Sequence, residues 1–152
     1  MSKHTLWTVA EIAIQYKRAH TFESMPFIRV SEDAYKIFLK IWNTDQLDYI
    51  EEIYILLLNR ANRVLGVSNV SKGGVGGTVV DHKVIFGTAL KAHASAFVIG
   101  HNHPSGRLEP SPADINFTKN LKEAGTILDI KLIDHLIITS EGYYSFADEG
   151  QL

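Results

Sequence analysis

ASAFVIGHNHPSGRLEPSPAD, residues 94–114, runs from an apolar segment into paired histidines and on, through a loop marked by Pro104 and Gly106, to a helix start. The run up to Gly100 lacks polar alternation, which predicts a strand buried on both faces, as in the middle of an α/β sheet. Side chains two apart on an extended chain point the same way, so His101 and His103 share a face at the mouth of that strand. Pro104 biases His103 toward extended backbone and ends the strand. Ser111 is a good N-cap and Pro112 a good first helical residue. The helix is expected to run to about Ala124, with Ile115, Thr118 and Leu121 on one face and Gly125 as its stop.

Two imidazoles and the Asp114 carboxylate make the three-ligand set of a catalytic zinc site, whose fourth position stays open for water. Ser111-x-x-Asp114 taken alone reads first as a capping box, in which both side chains satisfy orphan amides. Two histidines on one face beside it favour the metal reading. The roles are compatible, because a hydroxyl can cap with its lone pair and still aim its proton at a substrate oxygen. A hydrolytic zinc site also needs a base. Residues 53–58 form a strong apolar strand with Glu52 at its mouth, where a carboxylate is partly desolvated and placed to move a proton. Spacing alone leaves Glu51 and Glu52 as ordinary solvated charges.

Farther out, residues 8–19 carry Val9, Ile12, Ala13 and Tyr16 at helical spacing, predicting a short amphipathic helix. Ser31 is expected to cap a second helix whose stripe is Ala34, Ile37, Phe38 and Ile41, ending near Trp42. Strands at 53–58 and 64–71 read as a hairpin about the turn at 59–62. The glycine-rich segment 72–78 lacks the Walker pattern and reads as a mobile connection. Flanking the cleft, it would let an extended substrate pair with an exposed strand edge. Residues 81–94 read as a helix with Val84, Ile85, Ala89 and Leu90 toward the core. An apolar strand at 130–139 is interrupted by Asp134 and His135, and a last strand follows near 143–146. The expected architecture is an α/β sandwich, a mixed central β-sheet flanked by helices. Residues 1–25 form a helical extension and 26–152 the domain.

Asp134 and His135 need partners inside such a strand. Asp134 suits the role of outer partner to the second ring nitrogen of a metal-binding histidine. It equally suits a hydrogen-bonded structural pair with His135. His135 is also an alternative ligand in place of Asp114. His4, His20, His82 and His93 have no motif around them and read as surface residues.

At 152 residues, 45% hydrophobic and 21% charged, the chain has the balance of one globular domain. Its 15 Lys plus Arg against 17 Asp plus Glu give a net charge of -2, without the basic excess of a dedicated nucleic-acid binder. The absence of cysteine excludes disulfides, thiolate zinc ligands and the Pro-Cys-x-x-Cys site of nucleobase deaminases. No signal peptide or spanning segment is visible, so a cytoplasmic protein with no membrane partner is expected.

The set Glu52, His101-x-His103, seven residues, Ser111-x-x-Asp114 resembles the JAMM motif of catalytically competent MPN domains. More closely it is similar to the RadC branch, through His-Asn-His-Pro-Ser-Gly (101–106), Glu109-Pro110-Ser111, Ile-Asp-His-Leu-Ile-Ile (133–138) and Tyr-Ser-Phe-Ala (144–147). The resemblance covers residues 26–152. It implies a JAB/MPN, cytidine-deaminase-like sandwich with zinc on His101, His103 and Asp114. It further implies Glu52 as general base and acid, Ser111 steadying the oxyanion, and a peptide or isopeptide bond as substrate. Two other classes are compatible with the same residues: a non-catalytic module docking protein or DNA in DNA repair, and a zinc nuclease. The contiguous His-Asn-His here is not the dispersed HNH nuclease motif. RadC-like proteins commonly carry a helix-hairpin-helix region ahead of this domain, where about 25 residues stand here.

Overall fold

The computed structural model describes residues 10, 12–73 and 80–152. Their elements are α1 (Ser31–Ile41), α2 (Thr44–Leu47), β1 (Glu52–Leu58), β2 (Val64–Lys72), α3 (His82–Lys91), β3 (Ala96–Asn102), α4 (Pro112–Leu128), β4 (Lys131–Thr139) and β5 (Gly142–Ser145). The strands form one sheet in the order β2-β1-β3-β4-β5. β3 and β4 are parallel and the other neighbours antiparallel, which makes the sheet mixed.

Strand alternation divides the interior into two cores. Leu56, Leu58, Val98, Leu136 and Ile138 pack with Phe38 and Trp42 of the α1 layer. Ile53, Ile55, Leu57, Phe97 and Ile99 pack on the other side with Ile85 and Phe86 of α3 and Leu121 of α4. Every residue of β3 is buried, as its unbroken apolar run requires of a central strand. The histidines at its end are therefore carried by the best-anchored strand of the sheet.

Several local expectations are corrected. Residues 12–19, the described part of the 8–19 segment apart from Ala10, are not helical, and Ile12 and Ile14 are 89% and 78% exposed. A short stripe with no surface to bury against does not offset the cost of nucleating a helix. The rest of that expectation, and the glycines at 74, 76 and 77, lie outside the described residues. α1 is capped by the Asp33 carboxylate, which accepts the Arg29 and Val30 amides at 2.8 and 3.2 Å. Ser31 instead contacts Tyr143 and Asp148. α3 buries Ile85, Phe86 and Ala89 and leaves Val84 and Leu90 in solvent. α4 does not stop at Gly125. It ends at Leu128 and is capped by Asp129, which takes the left-handed conformation at φ 55°. Among the described residues no helix is long and apolar enough to cross a membrane.

Candidate metal centre

His101 lies at the end of β3 on the α3/α4 side, opposite Ile53 of β1. His103 follows, its amide bonded to the Ile138 carbonyl at 3.1 Å, so the backbone remains pinned to β4 beyond the last strand residue. The loop turns at Gly106, whose φ of 81° suits glycine, and delivers Ser111 and Asp114 to the histidines. The two Nε2 atoms are 2.9 Å apart. Asp114 Oδ1 is 3.3 Å from His101 Nε2, and Asp114 Oδ2 is 3.4 Å from His103 Nε2. All three donor atoms fall within 4.8 Å of one another, and two imidazoles with one carboxylate suit a zinc ion. His103 donates its Nδ1 proton to the Arg107 carbonyl at 2.7 Å, which turns Nε2 toward the cluster.

The two sequence readings of Ser111 and Asp114 coexist. Asp114 Oδ2 accepts the Ser111 amide at 2.7 Å, and Ser111 Oγ accepts the Asp114 amide at 3.1 Å. The capping box thus fixes the carboxylate beside the imidazoles and leaves the Ser111 hydroxyl proton for another acceptor. Burial by itself would push the Asp114 carboxyl up. The two imidazoles beside it and the Ser111 amide outweigh that and hold it well below the usual carboxylate range. The hydrogen bond to Asp114 raises the His103 pKa against the opposing effect of burial, so metal and proton compete for its Nε2.

A cleft of about 440 Å³ meets the cluster at His103 and is also lined by Glu51, Arg107, Glu109 and Ser111 among others. A larger cavity, about 540 Å³, lies at the far end of α4 beside Lys122, Asp129 and Lys131, away from the histidines.

Glu52 is not on the cleft. It is 2% exposed, with Oε1 3.3 Å from Lys72 Nζ, and Lys72 in turn bonds Gln46 of α2. Its Oε2 has no hydrogen-bond partner among the described residues. Alternation is the cause: residue 53 shares its face with His101, so residue 51 does too and residue 52 points the other way. The carboxylate brought to His103 and Ser111 is that of Glu51, whose carbonyl extends the β2 pairing by accepting the Gly73 amide at 2.9 Å.

Asp134 faces the α1 side, lining a cavity with Ile28 and Ala34. Its Oδ1 accepts the His135 and Ala147 amides at 2.7 and 3.0 Å, and its Oδ2 accepts the Ser145 hydroxyl at 2.6 Å. It fastens Ser145 and Ala147 beside β4 and makes no hydrogen bond to a histidine ring among the described residues. His135 faces the cluster. Its Nε2 is 2.6 Å from His101 Nδ1, and its Nδ1 is 2.6 Å from Thr118 Oγ1. Burial, helped by the nearby His101, pushes the His135 pKa well down and keeps the ring neutral.

Asn102, between the two ligand histidines, has a part that sequence reasoning missed. Fully buried, it accepts the Glu52 amide at 2.7 Å and donates to the Leu47 and Ile50 carbonyls at 2.6 and 2.8 Å, locking the approach to β1. Its position on the face opposite the histidines was the available signal.

The fold and the placement of these residues define an α/β domain of the JAB/MPN class. A family model described as RadC-like JAB domain matches residues 28–151, and the chain belongs to that family. It is 45% identical over 134 residues to a UPF0758 protein of Flavobacterium johnsoniae, covering 88% of this chain and 57% of that one. A UPF0758 protein of Porphyromonas gingivalis is 46% identical over 103 residues, covering 67% and 45%. One from Clostridium acetobutylicum is 31% identical over 144 residues, covering 95% and 61%. The matched regions thus span between 45% and 61% of these relatives' own lengths.

Proposed function

We propose that the domain is a JAMM-type zinc metallohydrolase acting on a peptide or isopeptide bond. The observation that carries this reading is the convergence of His101, His103 and Asp114 at the head of a cleft that also presents a carboxylate and a hydroxyl. The three ligands would hold zinc, which when bound supplies Lewis-acid polarisation of the scissile carbonyl and activation of the attacking water. Glu51, in place of Glu52, takes the proton released by the nucleophile and returns it to the leaving amine. Ser111 donates its hydroxyl proton to the developing oxyanion, its lone pair already engaged by the Asp114 amide. The capping box keeps that donor from rotating away, so little reorganisation is needed when charge develops. A peptide or protein is the partner in keeping with this chemistry, and the net charge of -2 gives a nucleic acid no comparable support.

The test is metal content by mass spectrometry on untagged protein purified without chelators, followed by turnover of peptide, isopeptide and DNA panels. The parent should carry about one equivalent of zinc and Asp114→Ala little. Glu51→Gln should retain zinc and lose about 10²- to 10⁴-fold in turnover, while Glu52→Gln stays within a few-fold of the parent. A parent without affinity for zinc overturns the metal reading. Full turnover by Glu51→Gln removes the base assignment. A zinc-loaded parent inert toward every panel is a docking module, and one that cleaves only DNA is a nuclease.

A further inference from the structure

His101 and His103 are secured differently. The second nitrogen of His103 meets a backbone carbonyl, which can only accept, so the position of its proton is settled. The second nitrogen of His101 meets another histidine, and a neutral imidazole donates from one nitrogen and accepts at the other. Which end of His101 carries the proton therefore depends on what lies behind His135.

The chain can be solved from its far end. Thr118 Oγ1 is 2.7 Å from the Asp114 carbonyl one helical turn back, and that bond uses the only proton of the hydroxyl. Toward His135 Nδ1, at 2.6 Å, Thr118 can then only accept, so His135 carries its proton on Nδ1. His135 Nε2 is left bare and accepts from His101 Nδ1 at 2.6 Å. The neutral His101 ring, the form that can bind a metal, is thereby left with a bare Nε2, the atom that faces His103 and Asp114. Every link has one proton and one acceptor. None of the three residues is more than 2% exposed, so water has little access to interrupt the sequence. The His135 ring is also held in place, stacked on Phe146 at 4.7 Å and 5° and met edge-on by Phe117.

We propose that His135 and Thr118 are positioning residues that set the tautomer of His101, presenting its Nε2 lone pair to zinc before the metal arrives. This rests on the zinc reading above and adds residues to it. The chain begins and ends on the ligands themselves: it starts at the His101 ring and closes on the backbone of Asp114, tying the orientation of β3's ligand to the first turn of α4.

Two independent readouts test it. Nitrogen-15 NMR of the histidine rings in metal-free protein should find the proton of His135 on Nδ1 and that of His101 on Nδ1. Zinc affinity, measured by competition with a chromophoric chelator, should fall by about 10-fold or more in Thr118→Val and His135→Leu. Thr118→Ser, which keeps the hydroxyl, and His135→Gln, whose carbonyl can accept from His101, should recover most of the loss. Thr118→Val is close in shape to the parent, so it reads out even where His135→Leu fails to fold. A His135 proton on Nε2, or Thr118→Val binding zinc as tightly as a zinc-binding parent, overturns the relay alone. A parent that shows the expected tautomers and takes up no zinc overturns instead the metal reading and the purpose assigned here to the relay.

Discussion

Asp134 shows how far one residue's environment can be read into a measurable property. Burial raises the pKa of its carboxyl from the ordinary value, against the pull of hydrogen bonds from Ser145, Ala147 and His135, and the charge of Asp148 adds to the rise. A carboxyl with a raised folded-state pKa binds its proton more readily folded than unfolded. Its contribution is therefore full below the unfolded value and is lost as pH rises through the folded one. Asn in its place keeps an acceptor for the His135 and Ala147 amides and offers Ser145 Oγ a donor, with no charge to bury. Asp134→Asn should thus gain stability relative to the parent as pH rises from about 4 to 7, read by urea unfolding of metal-free protein. A difference that shrinks with rising pH would mean the anion is the favoured form. The same residue marks a limit of sequence reading: an Asp-His pair in an apolar strand announces two buried polar groups, but the pleat sends them to opposite faces. Glu51 and Glu52 repeat that lesson. Position at the strand mouth and resemblance point to Glu52, whereas alternation from Ile53, visible in the sequence, puts Glu51 on the face of the histidines.

At the scale of elements, the strands and α4's start were legible because each had a local cause: apolar runs for β1 and β3, and the Ser111-Pro112 cap for α4. Helix faces and ends were less so, because they depend on what lies opposite. Gly125 reads as a stop yet sits inside α4, where a Cβ would lie 2.4 Å from the Ile130 carbonyl oxygen. It is a crossing point at which the helix closes onto the backbone entering β4, and the Ile130 amide bonds its carbonyl at 2.9 Å. Alanine normally gains about 1 kcal/mol over glycine within a helix. Gly87 in α3 has open space around its missing Cβ, so Gly87→Ala should gain roughly that amount. Gly125→Ala should instead lose about 1–3 kcal/mol, because a backbone atom must move to admit the methyl. Denaturant midpoints compared at equal m-values decide the signs, and a stabilised Gly125→Ala would show that the helix slides away from β4 at little cost.

For the molecule as a whole, the class of fold follows from the order of apolar patterns, whereas the way the ligands meet depends on contacts between distant segments. The parallel pairing of β3 with β4 carries the chain through α4 between them, a crossover that returns the helix to the sheet. Because α4 starts beside the end of β3, that crossover brings Asp114 to His101 and His103 and places Thr118 over His135. No spacing rule names Thr118, since its hydroxyl meets His135 only after the helix has packed on the sheet. A metal held by His101, His103 and Asp114 would then tie the central strand to that helix, so its binding energy becomes folding energy. At free zinc 100-fold above Kd the added stability is about 2.7 kcal/mol. For a domain of this size that corresponds to a rise in Tm of roughly 5–10 °C. Chelator should reverse the rise, and Asp114→Ala should not show it, although that variant also starts lower through loss of its half of the capping box. The comparison is therefore made within each variant, with and without zinc. A zinc-binding parent whose melting ignores chelator would place the ion somewhere that does not join β3 to α4, and the cluster would lose its claim to the metal.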